Sequence, residues 1–211
     1  MQIPILNGIY TDENSDFRAS YPVNMTVVPK VTGVSSAYLR PAEGIVESSS
    51  SPGIGRGGIN WLGVCYRVMG ERLIKVNTDG TYTELAIVPG SDQVRMYYSF
   101  DYLGIAADKK LYLWDGVTIQ QVTDADLGVV DDMLWVDGYW MTTDGVSLVV
   151  TDLNNPFAVN PFKYGSSEAD PDPIKAILKI KNEPHALNRH TIEVFDNIGG
   201  ELFPFQRIEG A

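Results

Sequence analysis

Short apolar or alternating runs, each closed by a turn sequence, make up most of the chain from residue 57 onward. Apolar residues rarely recur at the spacing of an amphipathic helix, whereas runs of this length are typical of β-strands. Asp79-Gly80 is one of the turns, because glycine, and to a lesser degree aspartate, tolerates the positive φ of a tight hairpin. The pattern therefore predicts an all-β protein.

The strands recur with a long period. A polar turn followed by an apolar strand begins at Gly70, Asp108, Asp144 and Asn188, which are 38, 36 and 44 residues apart. Periods of about forty residues with several strands each are typical of propeller blades, because radially stacked sheets cover faces that a single sheet leaves open. A β-sandwich is the alternative fold, since it also consists of many short strands.

We predict a β-propeller-like body over residues 53–211, built of short antiparallel strands. Its repeats are expected at about 57–90, 91–128, 129–165 and 170–211. Three full repeats and part of a fourth do not close a propeller, which usually needs four to eight blades. We therefore expect an incomplete propeller of about three to four blades, either as a fragment of a longer protein or as a structure completed by several chains.

Residues 1–52 lack this regularity. A polar segment at 11–16 and the prolines Pro4, Pro22, Pro29 and Pro41 interrupt any long element, so we predict an irregular, extended N-terminal arm. Four aromatic residues of the arm are candidates for partner contacts: Tyr10, Phe17, Tyr21 and Tyr38. Packing within the chain would explain them equally well, because aromatic side chains serve cores and interfaces alike.

The charge balance limits the partners. The 211 residues include 27 acidic and 16 basic side chains, a formal net charge of −11. Binding of nucleic-acid phosphates needs clustered cations, so we expect no direct, sequence-specific nucleic-acid binding. The same charge suits a conduit past which DNA slides, because a cationic lining would hold the genome electrostatically.

The cysteine count and the hydropathy of the chain exclude several classes of protein. Cys65 is the only cysteine, which excludes an intrachain disulfide and a cysteine-based zinc site. No apolar stretch approaches 18 residues, and the start of the chain lacks the pattern of a signal peptide. We therefore expect neither membrane insertion nor secretion.

Three motifs resemble binding sites, but none of them predicts a cofactor or a metal. Gly53–Gly58 matches G-x-G-x-x-G but lacks the strand–helix context of a dinucleotide site, so a flexible loop is expected. The aspartates at 124–132 fail the calcium-loop pattern, because Trp135 stands where a glutamate is needed. His185 and His190 flank one predicted turn without further metal ligands. We predict no catalytic residue.

The four tryptophans allow two interpretations. They lie in predicted strands, which favours packing between blades, and a sugar-stacking platform is the alternative. They are Trp61, Trp114, Trp135 and Trp140.

Two parts of the chain resemble a known family. The first contains Tyr21–Met25, Val28–Lys30, Ser35–Arg40 and the pair Gly44-Ile45. The second contains Asp170–Ile174, Ala186–Asp196, Gly199-Gly200 and Phe203–Gly210. Together they resemble the packaged-DNA stabilisation proteins of short-tailed bacteriophages, also called tail accessory factors or portal-plug proteins.

This resemblance implies a structural, non-enzymatic protein of the virion tail, made in the cytoplasm of the bacterial host. Such proteins have a β-propeller-like body and assemble as a ring, so a homo-oligomer is expected. They lie beneath the portal and adaptor, help to close the channel after DNA packaging, and carry the tail needle and tailspikes. Members are typically about twice as long, so the chain resembles an N-terminal portion. A propeller-type carbohydrate-binding module and a propeller hydrolase are the alternatives.

Overall fold

The computed structural model describes residues 24–30, 37–44, 46–47, 50–167 and 172–209. The chain divides into two units, residues 1–47 and 48–211. Most of the described residues lie in strands, and the helical element among them is the short 3-10 helix Ala125–Leu127. No helix in the described part of the chain is long and apolar enough to cross a membrane.

The first unit contains an antiparallel hairpin of β1 (Met25–Pro29) and β2 (Ala37–Pro41). The sequence pattern predicted no regular element in this arm. The strands form because Pro29 and Pro41 lie at strand ends, where a missing N–H does not interrupt the ladder. A further hydrogen bond from the Ala42 N–H to the Asn24 carbonyl, at 2.8 Å, extends the hairpin.

The described residues of the second unit form four antiparallel sheets, each of four strands in sequence order. Sheet 1 contains β3 (Gly55–Trp61), β4 (Val64–Met69), β5 (Arg72–Val76) and β6 (Tyr82–Ile87). Sheet 2 contains β7 (Arg95–Tyr98), β8 (Leu103–Ala107), β9 (Lys110–Trp114) and β10 (Ile119–Gln121). Sheet 3 contains β11 (Asp132–Val136), β12 (Tyr139–Thr143), β13 (Ser147–Asp152) and β14 (Asn155–Ser166). Sheet 4 contains β15 (Ile174–Ile180), β16 (Glu183–Asn188), β17 (Ile192–Asn197) and β18 (Phe205–Arg207).

The first strands of the sheets lie side by side. β3 contacts β7, β7 contacts β11, and β11 contacts β15. This is the arrangement of propeller blades around an axis. The prediction of an all-β, propeller-like protein with an incomplete set of blades is confirmed.

Three layers of core fill the spaces between neighbouring sheets. Leu103 and Trp114 belong to the layer shared by sheets 1 and 2. Leu111 and Trp140 belong to the layer between sheets 2 and 3, and Phe195 to the layer between sheets 3 and 4. Successive residues of one strand enter different layers, because side chains alternate across a sheet.

Turn residues fit the hairpins that they close. Gly80 has a φ of +85°, and the Asp79 carboxylate accepts a hydrogen bond from the Thr81 N–H at 2.9 Å. The pair therefore makes the turn between β5 and β6 that the sequence indicated. The sequence pattern predicted no strand within 155–166, where β14 runs for 12 residues. Pro156 and Pro161 interrupt the strand pattern in the sequence. The structure tolerates them because β14 is an edge strand.

Candidate functional site

A concave group of aromatic side chains lies where the first strands of the four sheets end. It is formed by Trp61 of β3, Tyr97 and Tyr98 of β7, Phe100 after β7, Trp135 of β11 and Lys179 of β15. We call these six residues the aromatic cup. They surround a cavity of about 520 Å³. The cup exists because the first strands lie side by side and end at the same level.

The rings of the cup are held by one another and by the backbone. Tyr97 stacks on Tyr98 with centroids 5.9 Å apart, and Phe100 meets Trp135 edge-on at 5.2 Å. The Trp61 indole N–H donates to the Ser99 carbonyl at 3.0 Å, which joins sheet 1 to sheet 2. Offset and perpendicular ring contacts of this kind are favourable, so the cup is preorganised.

Lys179 brings a cation to this aromatic surface. Its ammonium nitrogen lies 5.0 Å from the Trp135 ring centroid and 5.8 Å from that of Tyr97, within the range of cation–π attraction. Burial lowers the pKa of Lys179, and the charge of Asp137 acts in the opposite direction. Burial also raises the pKa of Tyr97, with a smaller contribution from Tyr98.

Asp137, the carboxylate whose charge acts on Lys179, already accepts hydrogen bonds from two other side chains. Asp137 accepts hydrogen bonds from the side-chain amides of Asn182, at 2.5 Å, and Asn197, at 2.9 Å. These bonds join sheet 3 to sheet 4. Among the described residues, no carboxylate oxygen lies within 4.0 Å of the Lys179 nitrogen.

The candidate partner residues of the arm are described only in part. Tyr10, Phe17 and Tyr21 lie outside the described residues. Tyr38 lies on β2, is 45% exposed, and has the Lys30 ammonium 5.8 Å from its ring centroid. A common partner surface for the four residues stays a prediction.

The sequence predicted no site at the aromatic cup. The tryptophan pattern predicted only packing or sugar stacking for Trp61 and Trp135. The available signal was the aromatic segment Tyr97–Phe100 at a strand end, together with ring residues about forty positions apart. Trp114 and Trp140 are buried between sheets and lie outside the cup. Trp61 is also buried between sheets but borders the cup, where Trp135 is half-buried.

The glycine-rich segment is not the expected loop. Residues Gly55–Trp61 form β3, and a side chain at Gly57 would lie 2.7 Å from Val94 Cγ2. These glycines therefore allow sheet 1 to approach the start of sheet 2 closely. The segment thus leads into a β-strand, whereas a dinucleotide site needs such glycines between a strand and a helix.

Arg56, within this segment, is a structural residue. Its guanidinium is buried and donates to the carbonyls of Gly70, Val88, Pro89 and Asp92 at 2.7–3.0 Å. A cavity of about 700 Å³ lies beside β3 and is partly lined by Cys65. Cys65 is partly exposed, because it lies on the outer face of sheet 1.

The aspartates at 124–132 do not act together, because each has a different structural partner. Asp124 accepts from the N–H groups of Val159 and Asp126, and these hydrogen bonds lower its pKa. Asp131 forms an ion pair with Lys109. Asp132 is buried and accepts from the Ile177 N–H at 2.9 Å.

The two histidines also have different hydrogen-bond partners. His185 lies on β16 and contacts the Glu183 carbonyl at 3.0 Å, whereas the His190 N–H donates to Asp172. In the part of the chain that the structure describes, no three His, Cys, Asp or Glu residues are grouped to hold a metal ion.

Comparison with known proteins gives one family. A family model described as Phage_stabilise, "Bacteriophage P22 Gp10, beta-propeller", matches residues 1–211. No curated protein sequence matches the chain.

Solved structures with a similar fold include two propeller-like neighbours. The computationally designed Ika4 protein is 9% identical, with a TM-score of 0.52 over 72% of this chain and 97% of that chain. A streptogramin B lyase is 13% identical, with a TM-score of 0.54 over 89% of this chain and 62% of that chain. Identities this low show the fold alone, so the lyase activity is not carried over.

Proposed function

This chain belongs to the phage-stabilisation family, whose model describes the bacteriophage P22 Gp10 β-propeller, and on that premise we propose that it helps to close the portal channel after DNA packaging. It is a phage structural protein of the tail-hub type. The observation that carries the proposal is the family match over residues 1–211. Closing the channel would retain, and so stabilise, the packaged DNA.

The charge of the chain supports a passive role toward DNA. With 27 acidic and 16 basic residues, the chain would repel the phosphate backbone rather than bind it. We infer that DNA is retained by a physical plug and not by cationic contacts. Binding to DNA that strengthens steeply as salt falls would contradict this inference.

We infer that the partners are other virion proteins: the portal or adaptor on one side, and the tail needle and tailspikes on the other. In this proposal, residues 1–52 act as the partner-binding arm and residues 53–211 as the propeller body. We also infer a homo-oligomeric ring. An uncovered apolar face of sheet 4, which carries Leu187, Ile192 and Val194, supports contacts with further protein.

The family favours this structural role over the two alternatives. A carbohydrate-binding module would present several tryptophans on one exposed face, but Trp61, Trp114 and Trp140 are buried in the core. A hydrolase would need convergent acid–base groups in a pocket. Neither alternative has an observation in its favour comparable to the family match.

The test is genetic and uses the phage that encodes the chain. An amber codon early in the gene should yield particles that package DNA but lose it during purification. Encapsidated DNA is measured by nuclease protection, and the composition of the tail by mass spectrometry. Particles lacking the protein should also lack the needle and tailspikes.

The control supplies the wild-type gene from a plasmid, which should restore DNA retention and the missing tail proteins. Particles that keep their DNA and remain infectious without the protein would overturn the proposal. Particles that keep DNA but lose the tailspikes would assign the attachment role alone.

A further inference from the structure

We propose that the aromatic cup is the docking site for a short segment of another virion protein, which presents an apolar side chain beside a carboxylate. The inference rests on the proposed function, because it names the kind of partner that a tail-hub protein would hold. It is carried by charge complementarity at Lys179 and by the apolar rings around it.

The charge of the cup is opposite to that of the chain. The formal net charge is −11, yet the charged residue lining the cup is Lys179. Its ammonium faces the rings of Trp135 and Tyr97 at 5.0 and 5.8 Å and has no carboxylate within 4.0 Å among the described residues. An incoming carboxylate would therefore complete a charge-assisted contact in a partly desolvated site.

The rim of the cup is apolar and accessible. Phe100 is 78% exposed, Leu62 is 75% exposed and Tyr98 is 47% exposed. Large apolar side chains grouped around a cavity mark interaction sites, because their burial by a partner is favourable. A cavity of about 520 Å³ suits anchor side chains from a peptide segment rather than a whole domain.

The geometry favours a peptide over a sugar. A sugar stacks on a free aromatic face, but Trp135 already contacts Lys179 and Phe100. Tyr97 is stacked on Tyr98 and also contacts Lys179. The cup therefore offers an apolar rim and one cation, which match an acidic and apolar peptide.

The test exposes the full, fluorescently labelled chain to an array of random heptapeptides. Wild-type protein should select peptides that combine aspartate or glutamate with leucine, phenylalanine or tryptophan. The strongest peptide is then titrated by fluorescence anisotropy, beside versions with lysine or serine in place of its acids. Binding should weaken with added salt, because the contact is ionic.

Two matched pairs of variants locate the binding. Lys179→Met should weaken binding about tenfold, the usual range for one charged hydrogen bond, whereas Lys175→Met on the same strand should leave it unchanged. Phe100→Ser should also weaken binding, whereas Phe162→Ser, at a ring that is 65% exposed outside the cup, should not. Circular dichroism checks that each variant is folded.

Three results would overturn the proposal. The first is that the selected peptides are not enriched in aspartate or glutamate. The second is that the Lys179→Met and wild-type proteins select the same peptides. The third is that maltohexaose binds more tightly than every peptide. The amber test separates this failure from that of the proposed function. If wild-type protein restores DNA retention but selects no acidic peptide, only the cup proposal fails. If it selects acidic peptides while particles without it retain DNA, only the channel-closing role fails.

Discussion

Sheets 2 and 4 have the same four-stranded topology but differ in how their faces are covered. Every residue of β8 in sheet 2 is buried, because sheets 1 and 3 cover its two faces. In sheet 4, Ile177 and Ala186 are buried against sheet 3, whereas Ile192 on the opposite face is 58% exposed. Neighbouring sheets, and not strand composition alone, thus decide whether an apolar residue enters a core.

The uncovered faces of the two terminal sheets also differ from each other. That of sheet 1 mixes charged and apolar residues: Arg67 and Glu84 both pair with Ile74, and Glu84 lies 3.7 Å from Arg72. That of sheet 4 is apolar and includes Leu187 and Val194. Charged side chains keep part of the first face in water, whereas burial against protein would stabilise the second.

The largest expected effect tests the contrast between covered and uncovered faces. Trp140 is 2% exposed between sheets 2 and 3, so Trp140→Ala should lower the free energy of unfolding by about 3–5 kcal/mol. Ile192→Ala, on the uncovered face of sheet 4, should change it by less than about 0.5 kcal/mol. Urea unfolding followed by circular dichroism measures both. Equal losses would mean that the outer face of sheet 4 is covered in solution.

A smaller effect tests how closely inner sheets approach. A Cβ added at Gly104 of sheet 2 would lie 2.4 Å from Trp140 Cζ3, so Gly104→Ala should destabilise the protein by about 1–3 kcal/mol. At Gly55 of sheet 1, the nearest atom would be Met69 Sδ at 3.5 Å. Gly55→Ala should therefore be neutral or stabilise by up to about 1 kcal/mol. Thermal unfolding compares the two, and a stable Gly104→Ala protein would contradict the close packing.

The smallest effect is a difference in pH dependence between a buried and an exposed aspartate. Burial raises the pKa of Asp132 above its ordinary value of 3.8, although hydrogen bonds from Ile177 and Met133 oppose the shift. Its favourable contribution is therefore complete below the unfolded pKa and is lost as pH rises through the raised folded pKa. Hydrogen bonds from Thr118 and Val117 lower the pKa of Asp115. Its contribution is present above the unfolded pKa and is lost as pH falls through the lowered folded pKa.

The two aspartates should thus give opposite slopes. Urea unfolding of the wild-type, Asp132→Asn and Asp115→Asn proteins from acid to neutral pH measures each difference in stability. Parallel slopes for the two variants would show that burial does not control the titration of Asp132.

Much of the architecture was predictable because it depends on local patterns. The turn at Asp79-Gly80 follows from the positive φ of Gly80, and four recurring anchors indicated the repeated sheets. β14 and the hairpin of β1 and β2 were missed, because their prolines lie at strand ends and on an edge strand. A single-sequence pattern does not distinguish those tolerated positions from strand breaks.

The candidate site was less predictable than the fold. Trp61, Tyr98, Trp135 and Lys179 are about forty residues apart and meet only because the first strands lie side by side. Arg56 shows the same limit, because its four carbonyl partners belong to other strands and turns. The recurring aromatic residues were the only indication of the cup, and side-chain identity gave none of the Arg56 contacts.

The sequence by itself determined the strands, their turns and their repeat, because alternation and turn chemistry act within a few residues. Only the tertiary structure decided which faces are covered, why Gly57 and Gly104 lack side chains, and where aromatic residues gather. The physical reason is that a strand has two faces, and the sheets packed against it decide which of them leaves water.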